Sequence, residues 1–320
     1  MAAGEWRPAG NALPVLRIRY CGVWDTVGTL GWKAVSAVVD RSKDKSYDDH
    51  DMNLSELVEA GRHAVALDER RVHFLPTLWR NVSQSNKHVG KLEQGRDAPY
   101  QQKWFAGDHG SVGGGGPERG LSNAALHWVL RGAIRQGLSV NLAGRSQLDD
   151  IRYNARAPLH NTQDAGLEAG RLGIGSVKAV LGWVKGVALT ATRSGPTDME
   201  DIHPSVLRRW FTKAEELPEG RAYRPKALAS LSAEIERERS TFAAPADEAV
   251  FARHTVVEGE NLSEIAHTHL GAGRRWREIF ALNRDVLDDE DDIFPGDQLR
   301  LPPLKDILGR SSPSVDQTPH

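Results

Sequence analysis

Val15-Leu16-Arg17-Ile18-Arg19-Tyr20-Cys21 runs straight into Gly22-Val23-Trp24-Asp25-Thr26-Val27-Gly28, and this stretch decides the fold. Its first seven residues alternate and are rich in β-formers, so they predict a buried strand. Asp25 then falls just past the C-terminal end of that strand. A second stretch repeats the arrangement. Gln101–Ala106 predicts another core strand and is followed at once by Gly107-Asp108-His109-Gly110-Ser111-Val112-Gly113-Gly114. Polar residues delivered at strand C-terminal ends are expected at the edge of an open α/β sheet where sites assemble.

Asp25 and His109 are the candidate acid and base of a serine-hydrolase triad. Ester hydrolysis needs a nucleophile, a base that takes its proton and a carboxylate that orients the base. In α/β-hydrolases the acid and the histidine follow the serine in that chain order. No G-x-S-x-G occurs in the sequence to supply the nucleophile. Residue type alone also fits a bland reading, in which Asp25 is a turn residue and His109 a loop residue beside glycines. A metal reading would join Asp48, Asp49, His50 and Asp51 to Asp25, Asp108 and His109. An acidic loop is usually just solvated, so neither a metal nor any other cofactor is expected. Gly113 to Gly116 lacks the G-K-[ST] of a phosphate loop and reads as a turn.

Other segments fill in the alternation. Leu54 to Arg70 shows helical spacing at Leu54, Leu57, Val58, Gly61, Ala64 and Val65, with Asn53 and Glu56 as a capping box. Val72 to Trp79 reads as a short strand. Ser122 is expected to cap a helix that runs to Gln136, ended by Gly137. Residues 170–192 are apolar but broken by glycines. They fit either an amphipathic segment that touches lipid or a buried helix or hairpin. Residues 226–252 read as a helix grading into a spacer. With 320 residues the chain has room for one large and one small domain. The net charge of −2 offers no basic field for nucleic acid. One cysteine, Cys21, cannot form an intrachain disulfide. No apolar leader follows Met1, so a cytoplasmic product without a signal peptide is expected.

Several blocks together carry a resemblance. They are G-V-W-D-T-V-G at 22–28, G-R-H-A-V-A-L-D-E-R-R at 61–71, F-L-P-T-L-W at 74–79 and W-F-A-G-D-H-G-S-V-G-G-G at 104–115. G-L-S-N-A-A-L-H-W at 120–128, H-P-S-V-L-R-R at 203–209 and Tyr223-Arg224-Pro225 continue them. In this order they resemble an uncharacterised α/β-hydrolase domain family that includes phospholipase effectors of bacterial type VI secretion. The resemblance implies that Asp25 and His109 are the triad acid and base, that phospholipid is the substrate and that the secretion machinery exports the chain. Two departures stand out. The family's G-x-S-x-G elbow precedes the G-V-W-D block, where only 21 residues stand here, and Ser111 replaces an acidic residue two after the histidine. The nucleophile is therefore expected from an N-terminal segment or another chain.

His254-Thr255-Val256-Val257-Glu258-Gly259-Glu260-Asn261-Leu262-Ser263-Glu264-Ile265-Ala266, Arg275–Asn283 and Ile293–Pro302 resemble a LysM domain. This implies a small β-α-α-β module that binds peptidoglycan or another N-acetylglucosamine polymer. Its glycan candidates are Glu258, Gly259, Glu260, Asn261, Leu262, Asn283 and Ile293. A docking or spacer role is the alternative. The expected architecture is thus a three-layer α/β-hydrolase-like domain lacking its N-terminal strands over 1–228, a linker over 229–252, the small module over 253–303 and a disordered tail over 304–320. The expected activity is that of a lipolytic serine hydrolase incomplete on its own. A non-catalytic peptidoglycan-binding adaptor is the second reading.

Overall fold

The structure is a computed structural model that describes residues 16–27, 53–71, 74–88, 98–139, 153–159, 192–242, 252–257, 259–284, 287, 290–291 and 293–302. Three parallel strands carry the site. They are β1 (Cys21–Trp24), β2 (Gly61–Ala66) and β3 (Tyr100–Phe105), in the order β1-β2-β3. Trp24 pairs with Ala64 and Ala64 with Lys103, so all three C-terminal ends open onto one edge.

β2 overturns the helix expected over Leu54–Arg70. All six of its residues are buried. A strand covered on both faces shows no alternation of buried and exposed residues, and its Gly61, Ala64 and Val65 happen to fall at helical spacing. β1 lies later than the strand expected at Val15–Cys21. Upstream of it, among the described residues, Ile18 alone joins the sheet, by an isolated bridge to Val58. The strand expected over Val72–Trp79 reduces, in its described part, to one bridge between Pro76 and Val27.

Successive residues of β2 point to opposite faces, and each face has its own core. Ala64 and Ala66 pack with Phe105, Val112, Ala124, Ala125, Trp128 and Val129. These side chains join the sheet to α2 (His109–Gly113) and α3 (Ser122–Arg135). Val65 faces the other way, into a larger cluster with Trp104, Val206, Trp210, Leu228, Ile235 and Phe242. That layer holds α4 (Pro204–Phe211), α5 (Ser232–Arg237) and α6 (Arg239–Phe242). A parallel sheet with helices on both faces is the layering that was expected. α1 (Val82–His88) flanks β3, where buried Asn86 exchanges two hydrogen bonds with the Tyr100 backbone.

Two boundaries differ from expectation. Ser122 is the first residue of α3 rather than its cap, and its hydroxyl donates back to the Arg119 carbonyl. The linker expected from residue 229 begins too early. Leu231, Ile235 and Phe242 belong to the main core, because the apolar positions of this short helical run face inward. Residues 170–191, the Asp48–Asp51 loop and the 304–320 tail lie outside the described residues.

The C-terminal module runs β4 (Arg253–Thr255), α7 (Leu262–Leu270), α8 (Trp276–Leu282) and β5 (Gln298–Arg300), with β4 and β5 antiparallel. This is the expected β-α-α-β order. Asn261 and Glu264 form the expected capping box at the start of α7. Its core is made by Val256, Leu262, Ile265, Ala266, Leu270, Ile279, Leu287, Leu299 and Leu301.

Candidate active site

The strand ends bring Asp25 and His109 together across 84 positions of sequence. Asp25 follows β1 at once, and its N–H still donates to Ala64 O, so the residue is locked to β2. Its φ of 40° lies in the left-handed region, which is uncommon for a non-glycine residue. This turn swings the carboxylate back over the sheet end. His109 opens the short helix α2 behind β3. Asp108 caps that helix by accepting the Ser111 N–H, and Gly107, at φ 114°, makes the entry turn. The His109 N–H donates to Glu69 Oε2 at 3.2 Å, so the segment that follows β2 also fixes the backbone of His109.

The contact itself is short. His109 Nδ1 lies 2.7 Å from Asp25 Oδ2. The Asp25 side chain is fully buried, whereas the His109 side chain is 32% exposed. Among the described residues no hydrogen bond engages His109 Nε2. Nδ1–H therefore donates to the carboxylate, which leaves the Nε2 lone pair on the partly exposed side of the ring. Phe74 supports the ring edge-on at 4.9 Å, and Arg71 lies over Phe74 while its guanidinium holds Glu69.

Arg193 completes the site, and sequence reasoning missed it. It donates to both Asp25 oxygens, from Nη1 to Oδ1 at 2.5 Å and from Nη2 to Oδ2 at 3.0 Å. No motif surrounds Arg193, and 168 positions separate it from Asp25. Only folding could reveal it. Burial pushes the Asp25 carboxyl up. The hydrogen bonds from His109, Arg193 and Ala66, with the Arg193 charge, more than reverse this and hold it below the usual range. Glu69 is likewise pushed up by burial and brought below its ordinary value by Arg71 and the His109 N–H.

Two other side chains near the strand ends are structural. His63 is buried in β2, with Nδ1 bonded to Gln102 Oε1 at 2.9 Å and Nε2 beside Thr26. Burial pushes its pKa down to about 4, against the opposing pull of Gln102 and Asp25, so it stays neutral. Ser111 is buried and donates its hydroxyl to Leu159 O, so it offers His109 no nucleophile. A mixed-charge groove of about 200 Å³ lies beside β3, lined by Trp79, Lys103 and Asp201 among others, and neither Asp25 nor His109 lines it. Among the described residues no cluster of three or more metal-ligating side chains exists.

Residues 8–132 match the model of the T6SS phospholipase effector Tle1-like catalytic domain. Residues 254–302 match the LysM domain. The Tle1-like span contains both Asp25 and His109, and Arg193 lies beyond it. No match was found to a curated protein or to a solved structure.

In the LysM domain the candidate glycan residues divide. Glu258 lies outside the described residues. Gly259 has a φ of 87° and turns the loop before α7. Glu260 accepts the Val257 N–H and contacts His254 Nε2 at 2.7 Å. Asn261 is engaged as the cap of α7, Leu262 is in the core and Ile293 sits at its margin. Asn283 corrects the expectation that it lines a groove. It is fully buried, donates to Ile279 O and Arg300 O, and accepts the Arg300 N–H. A side chain so engaged holds α8 to β5 and has no donor left for a sugar.

Proposed function

We propose that this chain is the acid–base half of a serine-type lipolytic hydrolase, a phospholipase or esterase of the type VI effector kind. In this reading a LysM domain retains it on the cell wall. The observation that carries it is the 2.7 Å contact between His109 Nδ1 and Asp25 Oδ2, which reaches over the end of β2 from the C-terminal ends of β1 and β3. In that geometry the carboxylate fixes the tautomer and stabilises the imidazolium, and Nε2 takes the proton of an attacking hydroxyl. The serine is brought by a G-x-S-x-G segment, since the sequence has none. Among the described residues no strand pairs with the outer edge of β1, and Leu16 and Ile18 beside it are 66% and 42% exposed. An edge of this kind accepts a further strand. The described helices include none long and apolar enough to cross a membrane.

The test is reconstitution. An elbow-bearing segment from a Tle1-like protein is co-expressed with this chain, and ester hydrolysis on phospholipid vesicles is measured. Activity that appears with the wild type and vanishes with His109→Ala supports the reading. Equal rates for the two would sink it.

The adaptor reading draws on Ser111, whose hydroxyl is committed to Leu159 O and leaves the dyad without a local nucleophile. It predicts retention on purified peptidoglycan that depends on residues 254–302, with no hydrolysis under any pairing.

A further inference from the structure

One arginine gives a hydrogen bond to each of the two oxygens of a carboxylate that is 0% exposed. We propose that Arg193 is the positioning residue of the dyad, holding Asp25 ionised and in a single orientation so that His109 is kept as its Nδ1–H tautomer. Only the step that follows, use of Nε2 as a base, rests on the hydrolase reading.

Each carboxylate oxygen has two donors. Oδ1 takes the Ala66 N–H at 2.8 Å and Arg193 Nη1; Oδ2 takes His109 Nδ1 and Arg193 Nη2. The guanidinium is itself fixed. Nη1 donates to Ala66 O at 2.6 Å and Nη2 to Phe74 O at 2.5 Å, which ties its plane to the end of β2 and to the loop under His109. Arg193 is thus built into the wall that the imidazole leans on.

A buried carboxylate without a cation costs several kcal/mol on the order of the ion desolvation penalty, and such a group takes up a proton instead. Protonated Asp25 would present a hydroxyl as well as a carbonyl, and His109 would lose the acceptor that fixes its tautomer. The other charges around His109 do not substitute. Glu69 accepts the His109 N–H and is held by Arg71, Asp108 caps α2, and His63 is neutral and turned to Thr26 and Gln102. Lysine would supply the charge but not the planar fork that sets the carboxylate's rotation.

The experiment uses the full chain and the low-field proton resonance of the His109 Nδ1–H, assigned by its loss in His109→Gln. The wild type shows it at neutral pH. Arg193→Met loses it while the rest of the spectrum stays dispersed, and Arg193→Lys retains it broadened by faster exchange with water. A resonance in Arg193→Met as sharp as in the wild type overturns the proposal. If Arg193→Met does not fold, Arg193→Lys decides alone, and a resonance identical to the wild type overturns it. In the reconstituted hydrolase, Arg193→Met lowers kcat and leaves KM unchanged. Failure to reconstitute activity removes the hydrolase reading, while the resonance series still settles the role of Arg193.

Discussion

Arg131 on α3 donates to Asp297 of the LysM domain at 2.5 Å, across the boundary between the two domains. His127, one turn earlier on the same helix, meets the other Asp297 oxygen at 3.1 Å. Phe294 lies against the Arg131 guanidinium at 4.9 Å. Both charged side chains are almost wholly buried, so the module is seated on the helix that covers the parallel sheet.

Asp297→Ala leaves Arg131 buried without its carboxylate, and breaking such a pair costs about 3–5 kcal/mol. Thermal unfolding should show the loss. Burial pushes the Asp297 carboxyl up, and Arg131 and His127 pull it further down, so its folded pKa lies below the ordinary aspartate range. The stabilisation is therefore present above about pH 4 and is lost as pH falls through the depressed folded pKa. Wild type and Asp297→Ala should converge in stability towards the acid end; a gap that stays constant there counts against the clasp.

Asp25→Asn should act twice. In the reconstituted hydrolase the amide should fail to hold the Nδ1–H tautomer as the carboxylate does, a loss worth roughly 10⁴ in kcat in a working triad. It also strands the Arg193 charge, so the melting temperature should fall as well. A rate loss with an unchanged melting temperature would show that Arg193 finds another partner.

Gly132→Ala should destabilise, although alanine exceeds glycine by about 1 kcal/mol inside an ordinary helix. A Cβ on Gly132 would stand 2.5 Å from Tyr20 Oη and 2.7 Å from Arg62 Cδ. Tyr20 Oη donates to Val129 O and Arg62 Nη1 to Trp128 O, so moving either breaks a bond between α3 and the sheet. Chemical denaturation that shows a gain would mean that α3 shifts freely.

Asn283→Ala should weaken the LysM fold rather than remove a glycan contact. Its amide makes two bonds to Arg300 that join α8 to β5 and a third to Ile279 O within α8, and unsatisfied buried groups cost about 1–3 kcal/mol each. Unfolding of residues 254–302, followed by Trp276 fluorescence, should move to lower temperature. Unchanged stability with lost peptidoglycan retention would restore Asn283 to the groove.

At Asp201 burial, Asp198 and Glu200 outweigh Lys103 and push the carboxyl up to about 6. Its folded pKa exceeds the unfolded value, so ionisation penalises the fold above pH 6 and the penalty fades as pH falls below it. Asp201→Asn should therefore stabilise at pH 8 and have little effect at pH 4. The same gain at both pH values would contradict this account.

The sequence by itself determined the α/β alternation, the C-terminal LysM match and the placing of Asp25 and His109 just after strand-like runs. Each rests on local signals: β-rich runs that end in a polar residue, a capping box at Asn261, and glycines where the chain must turn. It misjudged β2, because a strand buried on both faces loses the alternation by which strands are read. Only the tertiary structure decided that Arg193 clamps Asp25 and that Asp297 anchors to Arg131. Those contacts join residues 168 and 166 positions apart. A buried ion pair is selected by the desolvation that folding imposes, and that leaves no periodicity in the chain to read.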